Sequence, residues 1–494
     1  MRLTSAQIDR ACGVLLASAA GDALGAGYEF GAAPYDGTPA MIGGGLGGFA
    51  PGEWTDDTAQ AVAIARVAAT GADLRSAEAL DAVADGFAEW YAGGPADVGI
   101  QTSQVLRLAG RSATGAEMAE AARRVHEQSG RSAGNGSLMR TGPVALAHLD
   151  DPAALVEAAK AVSALTHHDP LAQEGAALWC LMIRHAVLTG ELPTAAQALA
   201  ELEDAGGFEA RSARTSTTGD IDWAALLAEA EANPPSAFAQ NGWVVGALQA
   251  AWSAIVHTPV PEVMPCRQLQ DALATAIGIG HDTDTVAAIA GALLGARWGA
   301  SAVPLAWVSM LHGWGAPSGQ ALVELATRTV APRPGHWPDV DRMDYADYDY
   351  HRAFVPHPTV EHVWIGGATA LDDLPDTIDV VVSLCRVGRT QVVGREHVQV
   401  RLIDTEPADN PNVDWVIDDA ARTVLRLRDE GKRVYLHCAA AQSRTPTVAA
   451  RVAVLEGASL EDALTQVTAA LPAASPRRFF VEALESLASA RRTS

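Results

Sequence analysis

Cysteine is scarce and unpatterned in this chain: Cys12, Cys180, Cys266, Cys385 and Cys438 are the five in 494 residues, an odd number without metal-ligand spacing. That speaks against a disulfide framework and a zinc site, and it fits a reducing compartment, so a cytoplasmic location is expected. Basic residues are in deficit. Lys and Arg total 35 against 59 Asp and Glu, a formal net charge of −24, which repels nucleic acid and anionic membranes; neither is an expected partner, although a locally basic pocket could still hold a phosphate-bearing small molecule. Long apolar runs are missing too, none approaching the roughly 20 residues of a membrane span. Gly13 to Ala20 could pass for a signal-peptide core, but Asp9 sits in a flank where such peptides carry only positive charge, so the segment reads as a buried helix. Thr4 and Gln7 form a capping-box pattern at its start. Charged residues are only 19% of the chain and apolar ones 49%, which argues against disorder. With domains of roughly 100–200 residues the norm, two or more are expected.

The chain divides by pattern. Up to about Val330 it is rich in Ala and Leu with helical periodicity, for example Asp56 to Thr70 and Gly242 to Val256, broken by Gly and Pro turns. Residues 1–330 are therefore expected to be all-helical. Ala331-Pro332-Arg333-Pro334-Gly335-His336-Trp337-Pro338 cannot continue a helix, and the acidic, Tyr-rich stretch that follows to Tyr350 has no period, so 331–350 reads as a linker. In 351–494, short β-rich runs (Val363 to Ile365, Val380 to Leu384, Val398 to Ile403, Val434 to Leu436) alternate with helical segments. This is an α/β pattern with a mainly parallel sheet, whose ligands bind beyond the carboxyl ends of the strands.

Three acidic clusters punctuate the helical part: Gly21-Asp22-Ala23-Leu24-Gly25 running on to Glu29, then Thr55-Asp56-Asp57-Thr58, then Asp282-Thr283-Asp284-Thr285. Thr55-Asp56-Asp57-Thr58 alone reads as helix capping, since Thr and Asp at a helix start satisfy free N–H groups. Two such clusters in one Ala-rich chain point further. Adjacent side chains on a helix diverge by about 100° and can hold two cations; carboxylate and Thr oxygens are hard ligands suited to Mg²⁺ or Mn²⁺, and so many acids demand a counter-charge.

These motifs, with Gly134-Asn135-Gly136-Ser137-Leu138-Met139-Arg140 and Thr166-His167, occur in the order found in the ADP-ribosylglycohydrolase family, which the chain resembles from about Ile8 to Gly299. The resemblance implies an all-α fold and two Mg²⁺ or Mn²⁺ ions held by Thr55, Asp56, Asp57, Asp282, Asp284 and Thr285. It implies that Glu29, Asp56 and Asp284 are catalytic, that Asn135, Gly136, Ser137 and His167 contact ADP-ribose with Gly99 to Ser103 as a weaker candidate, and that the substrate is an ADP-ribosylated protein or small molecule. Outside its Thr-His context His167 would read as a packed histidine. His281 stands where the family often has Gly.

In the last third, Val434 to Thr445 is a strand, a tight loop and a helix start enclosing Cys438 and, after five residues, Arg444. That spacing lets backbone N–H groups ring a phosphate, with the arginine on its oxygens and the cysteine beneath. A lone pair of this kind also fits a buried small residue and a common Arg. From about Val363 to Leu487, with His437 before the cysteine, Thr445 after the arginine and Asp404 ending an upstream strand, the sequence resembles the dual-specificity and tyrosine phosphatases. The resemblance implies Cys438 as nucleophile, Arg444 as phosphate ligand, Asp404 as general acid and a phosphorylated substrate; Asp409 and Asp414 are alternative acids that read as turn and capping residues. Ala441 stands where these enzymes usually have Gly. The expected whole is thus an all-α ADP-ribosylglycohydrolase-like domain followed by an α/β cysteine-phosphatase-like domain, the latter catalytic or a phosphate-binding module without chemistry.

Overall fold

The computed structural model describes residues 1–130, 132–207, 221–333, 335–349, 352–471 and 473–490. Pro334 and Tyr350 of the expected linker, His351 at the expected start of the second domain and the last four residues lie outside the described residues. The chain falls into two compact units: Met1–Val260, Arg267–Val303 and Met310–Pro332 make the first, and Pro261–Cys266, Pro304–Ser309 and Arg333–Ser494 the second.

Among its described residues the first unit contains helices and isolated bridges but no strand. Its opening helix, Ser5–Gly25, begins with the expected capping box, in which the Thr4 hydroxyl accepts the Gln7 N–H at 3.2 Å and the Gln7 side-chain oxygen accepts the Thr4 N–H at 2.9 Å. By length and composition the segment Ser5–Gly31 could cross a membrane, contrary to the sequence reading, because mildly apolar Ala and Gly add up over an 18-residue window without forming a continuous apolar run. That window is wholly buried inside the unit, as in a core helix.

The opening helix packs against Thr283–Trp298 backbone to backbone. A methyl added at Gly295 would sit 2.0 Å from the Gly13 carbonyl oxygen, one at Gly21 2.2 Å from that of Ala287, and one at Gly25 2.5 Å from the Asp284 nitrogen. Only hydrogen fits at these crossings, and this closeness carries Asp22 to Asp284 across 262 positions of sequence. Gly295→Ala is expected to destabilise the unit by about 1–3 kcal/mol through overpacking and to weaken divalent-cation binding as the helices part. Urea unfolding and cation titration check it; an unchanged midpoint contradicts it.

The second unit has a five-stranded sheet in the order β1 (Phe354–Pro356), β2 (Val363–Gly367), β5 (Val434–Cys438), β3 (Val380–Ser383), β4 (Glu396–Gln399). All pairings are parallel except β1 with β2. β3 and β5 are buried at every residue, as central parallel strands covered on both faces are. Helices Val413–Asp429 and Arg444–Leu455 contribute to the same apolar core through Ile417, Val424, Val448 and Val452.

Three details differ from the sequence reading. β1 is a three-residue edge strand ending in Pro, too short to show a pattern. β4 ends at Gln399, whereas a run to Ile403 was expected, because the Leu402 carbonyl accepts from Arg444 and both the N–H and the carbonyl of Ile403 bond the Asn410 side chain. The stretch after Pro338, read as linker, is ordered on the second unit by side-chain bonds that carry no period: Gln391 brackets the Met343 N–H and carbonyl at 2.8 and 3.1 Å, the Tyr345 hydroxyl donates to the Arg386 carbonyl at 2.8 Å, and Asp349 accepts the Thr369 N–H at 3.0 Å.

Candidate active sites

The helix Asp56–Ala68 opens with Thr55 at its N-cap, yet Thr55 makes no side-chain cap. Asp22 does that work from the opening helix. Its carboxylate accepts the Thr55 and Thr58 N–H groups at 3.0 Å each and the Thr58 hydroxyl at 2.6 Å. The capping reading of Thr55-Asp56-Asp57-Thr58 is therefore displaced, and the freed side chains turn inward: the Thr55 and Thr285 hydroxyls both donate to Asp57 Oδ2, at 3.2 and 3.3 Å.

Two groups of carboxylates result. Asp22, Asp57 and Asp284 each bring one oxygen within 4.8 Å of the others, and so do Glu29, Asp282 and Asp284. Asp284 belongs to both. Asp56, on the same helical turn, belongs to neither; its Oδ2 accepts from the Gln60 amide at 3.0 Å and the Gly99 N–H at 3.4 Å. Nothing in the sequence alone assigns Asp22 a role beyond its motif; Gly21 and Gly25 around it are the signal it offers.

Asn135 links this cluster to the glycine loop, donating from Nδ2 to Asp282 Oδ2 at 2.7 Å and to the Asn241 carbonyl at 2.9 Å. Asn241 also accepts the Asp282 N–H at 3.2 Å and donates to the Gly280 carbonyl at 3.0 Å, so it clamps the two loops together. No sequence motif marked it. Gly136 faces the His167 ring, from which an added methyl would be 3.2 Å away. Ser137 is turned into the core, where its hydroxyl pairs with that of Ser163 at 2.9 Å.

Backbone strain sits beside the carboxylates. Phe30, next to Glu29, has φ +46°, and His281, next to Asp282, has φ +61°; the Phe30 N–H donates to the His281 carbonyl at 2.7 Å. His281 thus keeps the left-handed conformation that glycine would take, at a cost of about 1–2 kcal/mol for an L-residue.

The electrostatics are one-sided. Burial, then Asp282 and Asp97, push Glu29 up to about 8; burial, then Asp97 and Asp22, push Asp56 up to about 8. Asp57 and Asp284 are pushed well above the carboxylate range by burial and by neighbouring acids. Asp57 Oδ1 is buried without a hydrogen-bond partner. Crowded hard oxygens, mutual repulsion and an unsatisfied inward oxygen fit a hard divalent cation such as Mg²⁺ or Mn²⁺. From the ordinary values of 4.5 and 3.8 up to about 8, the cation-free folded chain holds protons on Glu29 and Asp56 that the unfolded chain has released, so this part of its stability is lost as pH rises through that window. The rise in Tm caused by Mg²⁺ should therefore grow with pH up to about 8; a pH-independent rise, or none, contradicts it.

In the second unit the register pairs Gly367 with Cys438 and Ser383 with His437, bringing the loop after β5 to the carboxyl end of the sheet. Cys438 is buried, and Arg444 begins the next helix with Nη1 on the carbonyls of Leu384 (2.7 Å) and Leu402 (3.1 Å). The loop is braced from outside: Ala439 and Gln442 carbonyls accept the N–H groups of Ala368 (3.1 Å) and Ser475 (2.6 Å), and the Ser443 hydroxyl accepts that of Arg477 (3.1 Å). None of these braces uses an N–H of Ala439 to Gln442, which suits an anion cradle. Ala441 has φ +54°, so the turn that glycine favours persists with a methyl in place. Asp404 lies 3.7 Å from Arg444 Nε and accepts Arg477 Nε at 2.7 Å. Asp409 accepts the Thr405 hydroxyl and Asp414 that of Ser486 at 2.9 Å. His437 bonds Ser383 Oγ at 2.7 Å, and burial pushes it down to about 3; Thr445 ties its helix to the Gly366 carbonyl at 3.2 Å.

Comparison with known proteins agrees with this geometry in the first unit. Residues 3–338 match the family model described as ADP-ribosylglycohydrolase. The chain is 28% identical over 312 residues to ADP-ribosyl-[dinitrogen reductase] glycohydrolase of Rhodospirillum rubrum, covering 61% of this chain and 90% of that protein. It is 28% identical over 337 residues to ADP-ribosylarginine hydrolase Tri1 of Pseudomonas putida, covering 68% and 81%. Human DUSP28 superposes on 28% of this chain and 99% of its own at 18% identity, with a TM-score of 0.25. With its acidic motifs gathered around Asp284 and the family match running through 3–338, the chain belongs to the ADP-ribosylglycohydrolase family.

Proposed function

We propose that the first unit is a divalent-cation-dependent hydrolase that cleaves the glycosidic bond between ADP-ribose and a protein or small-molecule acceptor. The observation that carries this reading is Asp284, which shares its carboxylate between two groups of three acids. Asp22, Asp57 and Asp284, with Thr55 and Thr285 behind them, would hold one Mg²⁺ or Mn²⁺, and Glu29, Asp282 and Asp284 a second. Such cations supply positive charge that holds ribose hydroxyls and acidifies water. Glu29 orients the ribose at the cluster edge, and Asp56, outside both groups, takes a proton from the attacking water. The ADP-ribose contacts would come from Asn135, which bonds Asp282, from Gly136 and His167, which face one another, and from Gly99, whose N–H reaches Asp56. The name of one relative, ADP-ribosyl-[dinitrogen reductase] glycohydrolase, favours an ADP-ribosylated protein as substrate, and that of the other, ADP-ribosylarginine hydrolase, an arginine linkage. Incubating the chain with Mg²⁺ and arginine-, serine- and nucleotide-linked ADP-ribose compounds, with product analysis, tests this; if none releases ADP-ribose, the reading fails.

For the second unit we propose a cysteine phosphatase acting on a phosphorylated substrate: Cys438 attacks phosphorus, Arg444 and the loop N–H groups hold the phosphate oxygens, and Asp404 protonates the leaving group. The support is the retained left-handed turn at Ala441 and the braced loop. The ion pair of Asp404 with Arg477 favours the second reading, a phosphate-binding module without chemistry. We further propose a cytoplasmic location, from the sparse, unpatterned cysteines.

A further inference from the structure

Arg140 lies in the interior of the first unit, fully buried, and among the described residues it forms no salt bridge. Its Nη1 donates to Gln60 Oε1 at 2.5 Å, its Nη2 to Thr166 Oγ1 at 2.7 Å and to the Val162 carbonyl at 3.4 Å, and its guanidinium carbon lies 4.5 Å from the centre of the Phe87 ring. A guanidinium has donors and no acceptor. It therefore leaves Gln60 Oε1 and Thr166 Oγ1 as acceptors on the side facing it. Gln60 has to turn its oxygen to Arg140, which sends its NH₂ the other way, onto Asp56 Oδ2 at 3.0 Å. Thr166 accepts from Arg140, and because its hydroxyl has no other acceptor among the described residues, its one hydrogen is directed to His167 Nδ1 at 2.8 Å. Nδ1 is then an acceptor, so in a neutral ring the proton sits on Nε2. Burial, and the nearby Arg140 charge, push His167 down to about 3, which keeps the ring neutral. Nε2 lies on the ring edge turned to the glycine loop: methyls added at Gly134 and Gly136 would each be 3.4 Å from it, with Cε1 3.2 Å from the second.

We propose that Arg140 is a positioning residue that acts in two directions, holding His167 as an Nε2–H donor toward the Gly134–Gly136 loop and turning the Gln60 amide onto Asp56. One buried charge thereby orients a ligand donor on one side and a carboxylate on the other. The consequence for binding rests on the reading of that loop as an ADP-ribose site: an Nε2–H meets an anionic oxygen with a hydrogen bond, whereas the other tautomer would meet it with a lone pair.

The test is a long-range proton–nitrogen correlation spectrum of the full chain labelled with ¹⁵N-histidine, recorded at neutral pH without substrate, with the His167 signals identified by their loss in His167→Gln. In the wild type Nε2 should be protonated and Nδ1 bare. Thr166→Val removes the relay and should give a mixture of tautomers, and Thr166→Ser should restore the single one. A wild-type proton on Nδ1, an imidazolium, or an unchanged Nε2–H tautomer in Thr166→Val overturns the proposal; should the valine variant not fold, the wild-type spectrum alone decides. Because no substrate is present, the result stands whether or not the chain hydrolyses ADP-ribosyl bonds. Where it does, Thr166→Val should raise KM about tenfold and leave kcat within about twofold. An equal loss in kcat with KM unchanged would overturn the binding half.

Discussion

Asp284→Ala should lower the rate of ADP-ribose release by about a thousandfold or more while leaving the helical unit folded. The size of the effect comes from position. Asp284 supplies an oxygen to both carboxylate groups, so its loss would open both proposed cation sites, where Asp22→Asn or Glu29→Gln would open one. The fold should survive, because burial and the neighbouring acids raise cation-free Asp284 well above the carboxylate range, so the folded chain disfavours its charge and loses little by its removal. Far-ultraviolet circular dichroism alongside the rate separates the two effects. Near-normal turnover in Asp284→Ala would remove the bridging role.

Cys438→Ser is the second large effect: release of phosphate from an aryl phosphate should fall by about a thousandfold or more, since a serine hydroxyl at the same place is not ionised near neutral pH. Asp404→Asn should matter far less on that substrate, because a phenolate leaves with little protonation, and more on an alkyl phosphate. The two variants should therefore differ in kind. If wild type and Cys438→Ser release phosphate equally slowly, the unit is a phosphate-binding module, a result that the Asp404–Arg477 ion pair would explain.

The acidic motifs were legible in sequence because their chemistry is carried by residue type, and the helices around Asp56 and Val244 were legible because they are runs rich in Ala and other apolar residues without Pro, although both are buried almost all round and so show no single apolar face. What the sequence hid was which partner each side chain takes. Thr55 reads as a helix cap, yet Asp22, 33 positions away, caps that helix from another one. Ser137 sits in a ligand-like loop, yet faces Ser163 in the core. Asn241 and Gln60 have no motif, and their importance appears only when separate loops meet. The two positions read against glycine were visible as residues and not as conformations: His281 and Ala441 both take a positive φ, at +61° and +54°, so each turn is kept with a side chain in place and at the cost of strain. β4 is shorter than its apolar run because side chains of Arg444 and Asn410 take the next carbonyls, a competition that no local pattern records.

The central claim, two cations joined through Asp284, is tested most directly by titrating chelator-stripped chain with Mn²⁺ and counting bound ions by calorimetry. Two ions per wild-type chain, and loss of both in Asp284→Ala, is the result expected from a carboxylate shared by the groups Asp22, Asp57, Asp284 and Glu29, Asp282, Asp284. One ion or none in the wild type, or two ions retained in Asp284→Ala, would contradict it.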